Sequence, residues 1–274
     1  MGFDMLNNIK AVFIDIDGTL TDSKHQISNE TIKAITRIRE KGIYVILCSG
    51  RSNYGVCKFS KKTNASEFAI SSNGAQIYNY TTKESIYKSS VSYTDLKNVW
   101  NYCKHKKLEI ILNSENLQYG NEVFCSDLYK NKIVIEDISD IKKIDIYQVI
   151  INSNNFYDMK DFEKFIVESN NLKISNYCRD YLNNNTNINE PYYMFVNNIS
   201  TDKGIAVKKF LEFMNIKKKE TVCFGDRERD LSMFNNCGFK VAMENADDIL
   251  KQKADYITLS NNENGVANFI NKYL

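Results

Sequence analysis

The chain has 274 residues, 43% hydrophobic and 26% charged, and 36 Lys+Arg against 34 Asp+Glu leave a net charge of +2. These values exclude disordered, collagen-like and disulfide-rich miniprotein classes, and the near balance gives no electrostatic ground for a nucleic-acid partner. No run approaches the roughly 20 apolar residues of a membrane span, and the opening MGFDMLNNIK lacks the apolar stretch of an export signal.

In chain order, KAVFIDI (10–16) is a short apolar run ending in acid and glycine, which predicts a buried strand. Ile32, Ile35 and Ile38 then recur at a spacing of three, with Ser28 placed as an N-cap and Gly42 as a C′ glycine, so 28–41 reads as a helix. IYVILCS (43–49) and EFAIS (67–71) are further strands. This alternation calls for a parallel sheet with crossover helices.

The middle differs. LEIILN (108–113), KIVIED (132–137) and IDIYQVIIN (144–152) read as strands among helical stretches near 92–106 and 158–170, which predicts an α+β insert. Tyr119, Phe124, Tyr129 and Tyr181 supply its aromatic surface, with core packing as their ordinary role. A polar stretch, 181–191, ends on Pro191, the single proline. From 191 the alternating pattern returns: a helix over 203–214, the strand TVCFGD, a helix near 228–236, the strand FKVAM, the helix ADDILKQ, the strand ADYIT and a closing helix. The expected organisation is an α/β core from 1–83 and 191–274, with a second domain, 84–190, inserted.

Seven cysteines, Cys48, Cys57, Cys103, Cys125, Cys178, Cys223 and Cys237, are odd in number and widely spaced, with no CxxC pair. Only His25 and His105 are available to complete a zinc site, and both read as surface residues. The cysteines read as reduced core thiols in a cytoplasmic protein.

Two apolar strands end in acidic turns, FIDIDGTL (13–20) and VCFGDRERDL (222–231). Ligands of open parallel sheets bind beyond the carboxyl ends of the strands, where Asp15, Asp17, Asp226 and Asp230 would meet. Crowded carboxylates call for a cation, and oxygen ligands without Cys or His favour Mg²⁺. An EF-hand starting at Asp15 fails, because Leu20 and Gln26 stand at its sixth and twelfth positions. GxGxxG and GxxxxGK[ST] fingerprints are also missing.

These residues resemble the haloacid dehalogenase-like hydrolases. Asp15-Ile16-Asp17-Gly18-Thr19 looks like that family's first motif, Ser49 in CSGR its second, Lys203 in STDKGIAV its third, and Gly225–Asp230 its fourth, GDxxxD. The long insert between the second and third motifs, with SSNGA (71–75) and the stretch 241–266, resembles the Cof-type, or type IIB cap, subfamily. The resemblance implies a doubly wound, Rossmann-like α/β core and an inserted α+β cap.

It also implies a Mg²⁺-dependent phosphatase for small phosphorylated metabolites, sugar phosphates by default. Asp15 would be the nucleophile and Asp17 the acid and base. Asp15, the Asp17 carbonyl and Asp226 would hold the metal. Ser49 and Lys203 would hold the phosphoryl oxygens, and amides near Gly18, Thr19 and Gly50 would add donors. Arg51, Asn73 and Gly74 would face the substrate, although Arg51 also suits a structural ion pair and Asn73 a plain turn. Asp230 reads as the residue that orients Lys203.

Two positions depart from the pattern. Arg229 stands where Cof-like relatives commonly carry asparagine, and Glu244 where they often carry glycine. A phosphomutase and a non-catalytic metabolite-binding homologue are the alternative readings. Oligomeric state carries no signal in the sequence.

Overall fold

The computed structural model describes residues 6, 8–123, 132–177 and 191–274. Phe124, Cys125, Tyr129, Cys178 and Tyr181 lie outside the described residues, as does the stretch 181–190.

Along the chain the elements begin β1 (Ala11–Ile14), α1 (Asn29–Glu40), β2 (Tyr44–Cys48), α2 (Asn53–Lys62), β3 (Phe68–Ser71), β4 (Gln76–Asn79) and β5 (Glu84–Lys88). There follow α3 (Tyr93–Lys106), β6 (Glu109–Asn113), β7 (Gln118–Gly120), β8 (Ile133–Val134), β9 (Gln148–Ser153), α4 (Phe156–Val167), β10 (Leu172–Tyr177) and β11 (Tyr192–Asn198). The last are α5 (Lys203–Met214), β12 (Thr221–Gly225), α6 (Leu231–Asn236), β13 (Phe239–Ala242), α7 (Asp248–Lys251), β14 (Tyr256–Ile257) and α8 (Gly265–Tyr273).

The chain divides into two units, Met1–Tyr87 with Asp202–Leu274, and Lys88–Thr201. The boundary expected at 191 therefore moves to the Thr201–Asp202 junction. The physical reason is β11, which pairs antiparallel with both β10 and β9 in the second unit's sheet. Pro191 precedes that strand and does not mark the return to the first unit.

The first unit holds an eight-stranded sheet in the order β14-β13-β12-β1-β2-β3-β4-β5. From β14 to β3 every pairing is parallel, and β4 runs antiparallel to β3. The chain starts at mid-sheet with β1, winds outward through β2 and β3, and returns on the other side of β1 with β12. The strand order thus reverses between β1 and β12, the place where open α/β sheets bind ligands.

Burial explains why β1 is central: Ala11, Val12, Phe13 and Ile14 are all fully buried, as a strand covered on both faces requires. Phe13 pairs with Cys223 and Ile14 with Phe224, so Phe13 and Phe224 point to opposite faces. On one face Phe210 of α5 meets Phe13 and Phe68 edge-on, at 5.7 and 5.2 Å between centroids. On the other, Phe269 of α8 meets Phe224 at 5.3 Å. Each such buried ring contributes about 1.5–3 kcal/mol by removal from water. The ends of α1 follow the sequence: Thr31 N–H donates to the Ser28 hydroxyl at 3.1 Å, and Gly42 takes φ +82°.

The second unit is an α+β layer. Its six-stranded sheet runs β10-β11-β9-β6-β7-β8, antiparallel except for β7 with β8. Helices α3 and α4 supply Trp100, Met159 and Phe162 to its core, and Tyr119 is buried there too. Lys132 and Glu109 form a fully buried ion pair, with Asn152 Nδ2 donating to the second Glu109 oxygen at 2.8 Å. The strand expected over 132–137 shrinks to the exposed pair Ile133–Val134, which among the described residues pairs with the short β7 alone. Among the described residues, no helix is long and apolar enough to cross a membrane.

Phe210 is fully buried, whereas Phe213 on the same helix is 59% exposed. Phe210→Ala is expected to cost about 3–5 kcal/mol in urea denaturation, and Phe213→Ala less than about 1 kcal/mol. The thiols give a second check. Cys48, Cys57, Cys103, Cys223 and Cys237 are buried and free. Burial pushes the Cys57 thiol up to about 11, and the Cys48, Cys103 and Cys223 thiols up as well. A raised value keeps the unreactive thiol below it, so at pH 8 only about one Cys57 in a thousand is thiolate. Peptide mapping after maleimide labelling of native protein at pH 8 should find these five unmodified, and modified after denaturation.

Candidate active site

Asp15 is the first residue beyond β1, and its N–H donates to the Phe224 carbonyl of β12 at 3.1 Å. Asp226 is the first residue beyond β12. The parallel register therefore places both carboxylates at the strand-order reversal. Both side chains are almost wholly buried.

Lys203 opens α5, whose N-cap Asp202 accepts the Gly204 and Ile205 N–H groups at 2.7 and 3.2 Å. This cap fixes where the helix starts, and so where the lysine enters the site. Lys203 Nζ donates to Asp15 Oδ1 at 2.5 Å and to Asp230 Oδ1 at 2.7 Å, with all three side chains buried. Burial works against the lysine's charge, but Asp15 and Asp230 outweigh it and hold the ammonium well above its usual range. Burial is the main cause raising the Asp15 carboxyl, with Lys203 opposing it.

Asp230 is spent on positioning. Its Oδ2 accepts the Asp226 and Arg227 N–H groups at 3.2 and 3.1 Å, which folds the segment after β12 back as a 3₁₀ turn over Glu228–Asp230. The helix expected from 228 therefore begins only at Leu231. Asp226 Oδ1 accepts the Thr19 hydroxyl at 3.0 Å. Gly18 makes this approach possible: its φ is +85°, and a Cβ there would fall 2.2 Å from Asp226 Oδ2. Burial, Asp15 and Asp230 together push the Asp226 carboxyl up to about 7.

Asp17 stands apart from this cluster and is gripped by Arg51, whose Nη2 and Nε donate to its two oxygens at 2.5 and 2.8 Å. The guanidinium lies 4.9 Å above the Phe59 ring. Burial disfavours the Asp17 anion, but the bonds and charge of Arg51 prevail, and its carboxyl lies below the usual range. His25 is exposed, yet its Nδ1 comes within 3.7 Å of Asp17 Oδ1. The sequence reading of His25 as a plain surface residue missed this neighbour.

The loops after β2 and β3 interlock. The Ser49 hydroxyl accepts the Arg51 N–H at 3.2 Å, and the Ser49 carbonyl accepts the Asn73 N–H at 3.0 Å. A Cβ on Gly50 would fall 2.7 Å from Asn73 Oδ1. Asn73 is left-handed at φ 61°, and Gly74, at φ +95°, lies where a Cβ would sit 2.4 Å from the Asp202 carbonyl. Gly74 thus lets this turn pack against the start of α5 beside Lys203.

Three further residues support the site. Asn245 Nδ2 donates to the Gly18 carbonyl at 2.9 Å, and Asn261 Nδ2 to the Thr21 carbonyl at 2.8 Å. Asp247 accepts Arg227 Nη1 at 2.9 Å and the Glu228 N–H at 3.0 Å. Each is an Asn or Asp in a polar loop, and only the pairing of loops distant in sequence singles it out. Glu244, the second departure, is exposed, and its N–H meets the Leu259 carbonyl at 3.4 Å.

Oxygens of Asp15, Asp226 and Asp230 lie within 4.8 Å of one another. Asp15 Oδ2 and Asp226 Oδ2 are buried and accept no hydrogen bond. The nearest cation to the latter is Arg227 Nε at 3.3 Å. Two orphaned, buried carboxylate oxygens are a donor set that suits a hard cation.

A family profile described as haloacid dehalogenase-like hydrolase matches residues 12–270. The 5-amino-6-(5-phospho-D-ribitylamino)uracil phosphatase YcsE of Bacillus subtilis is 27% identical over 275 residues, 97% of this chain and 96% of its own. A crystal structure of a haloacid dehalogenase-like hydrolase from Bacteroides thetaiotaomicron is 28% identical, with a TM-score of 0.83 over 97% of this chain and 100% of that one. The subclass IIB sugar phosphatase BT4131, at 24% identity, shares the fold with a TM-score of 0.73 over 96% and 98% of the two chains. The sheet, the acidic strand ends and these likenesses converge: the chain belongs to the haloacid dehalogenase-like hydrolases and is an enzyme of their phosphatase branch.

Proposed function

We propose that this chain hydrolyses phosphomonoesters of small metabolites, sugar phosphates among them, with Mg²⁺ and through a phosphoryl group carried on Asp15. The observation that carries this reading is the Asp15 carboxylate. Lys203 holds one of its oxygens, and the other is buried without a hydrogen bond. Desolvation leaves that oxygen a stronger nucleophile than a hydrated carboxylate, and the fixed Oδ1 orients it.

Asp15 Oδ2 attacks phosphorus, and the bond from phosphorus to the leaving oxygen breaks. Asp17 gives that oxygen its proton. Water then attacks the phosphorus of the aspartyl-phosphate, Asp17 takes the water's proton, and the bond to Asp15 breaks to release phosphate. Asp17 must carry a proton in the first step, so Arg51 has to leave it. An arriving phosphate dianion offers Arg51 a second bidentate partner and draws it away. Lys203 and the Ser49 hydroxyl bind the phosphoryl oxygens, where charge spreads in the transition state.

Asp15, the Asp17 carbonyl and Asp226 would hold Mg²⁺. When bound, it offsets the charge of the phosphoryl group and keeps the carboxylates ionised. The substrate class is supported by the relatives' names, since the Bacillus subtilis phosphatase acts on a phosphorylated ribityl chain and the subclass IIB relative on sugar phosphates. The α+β make-up of residues 88–201 supports its reading as a type IIB cap domain. Free, buried cysteines support a reducing, cytoplasmic setting.

Hydrolysis of p-nitrophenyl phosphate tests the reading. Activity should vanish with EDTA and return with Mg²⁺, and Asp15→Asn should lower kcat by at least about 10³-fold. Equal rates for the two proteins would remove Asp15 from the reaction. Arg51→Ala should raise KM for a phosphorylated metabolite about tenfold or more, because a charged partner of the phosphate is lost. An unchanged KM would confine Arg51 to a structural pair with Asp17.

A further inference from the structure

Arg229 is one of the two positions where this chain departs from the pattern it resembles. It lies in the 3₁₀ turn that Asp230 folds back against the site. Its Nε is buried and has no hydrogen-bond partner. Every other cation of the site is committed: Lys203 to Asp15 and Asp230, Arg51 to Asp17, and Arg227 to Asp226 and Asp247. Of the cations named here, Arg229 alone takes part in no ion pair. Its charge nonetheless acts on Asp15 most strongly, then on Asp230, Asp226 and Asp17. A guanidinium whose Nε is buried without a partner, next to Asp230 in the chain and bonded to none of the site's carboxylates, brings charge to the site and no hydrogen bond to the fold.

The geometry points to Arg229 as a resident cation that trades divalent-metal affinity for anion affinity. The inference rests on the metal site proposed above. In the ionised form that a bound metal maintains, Asp15, Asp226 and Asp230 bring three negative charges, and Lys203 returns one of them. Arg229 returns a second, so a divalent ion meets a single uncompensated charge there instead of two. The ion is held less tightly for that reason. Once it is bound, the cluster carries a net positive charge, where a neutral side chain at 229 would leave it balanced. The loaded site therefore holds a phosphate dianion more strongly. Low dielectric makes both effects large, because the groups are buried. The consequence is an enzyme that needs more Mg²⁺ than a chain with a neutral residue here, and that binds its anionic ligand more tightly when loaded.

Calorimetry on the intact chain tests this without turnover. MgCl₂ is titrated into wild type, Arg229→Gln and Arg229→Lys, and orthophosphate is then titrated at saturating Mg²⁺. Arg229→Gln should bind Mg²⁺ about tenfold tighter and phosphate about tenfold weaker. Arg229→Lys, which restores the charge, should stay within about threefold of wild type in both titrations. Should Arg229→Gln fail to melt cooperatively, Arg229→Asn serves as the second neutral variant. Unchanged or weaker Mg²⁺ binding in the neutral variant overturns the inference. So does unchanged phosphate binding, or an Arg229→Lys that behaves like Arg229→Gln. If neither wild type nor the neutral variant binds Mg²⁺, the inference falls together with the metal site. If the expected shifts occur in a protein that hydrolyses no phosphomonoester, the inference stands and only the hydrolytic reading fails.

Discussion

The buried bridge from Lys203 to Asp15 and Asp230 is the constraint on which the rest of the site depends. It joins residues 188 and 27 positions apart and pins the start of α5 to the ends of β1 and β12. An ion triad this deep is costly to desolvate, and pairing of its charges offsets that cost. Here the matching is close to complete on Lys203 and Asp230 and deliberately incomplete on Asp15. Asp230 spends its second oxygen on two backbone N–H groups, which shapes the turn that presents Asp226. One carboxylate thus sets the lysine and the loop at once. Asp15 keeps an oxygen with no protein partner, and that is the atom the proposed chemistry uses.

The surrounding loops exist to hold this arrangement. Gly18 and Gly74 both adopt left-handed backbone at points where a side chain would strike Asp226 or the Asp202 carbonyl. Asn245, Asn261 and Asp247 tie the loops after β1 and β12 to the strand-to-helix turns beyond β13 and β14. The sheet is the reason these loops meet. In a doubly wound order the chain leaves the two adjacent strand ends toward opposite faces of the sheet, and the crevice at that reversal is where a ligand fits.

Much of this was legible in the chain. The apolar run leading into Asp15 reads as a buried strand because β-branched and aromatic residues dominate it and a turn follows, and all four β1 side chains are buried. Ser28 and Gly42 mark the ends of α1 for reasons local to a few residues. What escaped the sequence depends on partners far away. The strand Tyr192–Asn198 belongs to the second unit because β9 and β10 are there to pair with it, and nothing in its own pattern says which sheet it joins. The grip of Arg51 on Asp17, the approach of His25 and the support from Asn245 are likewise contacts between segments that sequence spacing cannot bring together. The 3₁₀ turn at Glu228–Asp230 interrupts an otherwise helical pattern because a carboxylate captures the backbone first.

The central claim is that the buried, half-committed Asp15 carboxylate receives the phosphoryl group. Its most direct test is to quench the wild-type enzyme in acid during turnover of a radiolabelled phosphomonoester and to map the label by proteolysis and mass spectrometry. The account predicts a base-labile phosphoryl group on Asp15, carried on the peptide that contains Asp15-Ile16-Asp17. Label on another residue, or turnover in which water's oxygen enters phosphate with no labelled enzyme and with inversion at phosphorus, would contradict it.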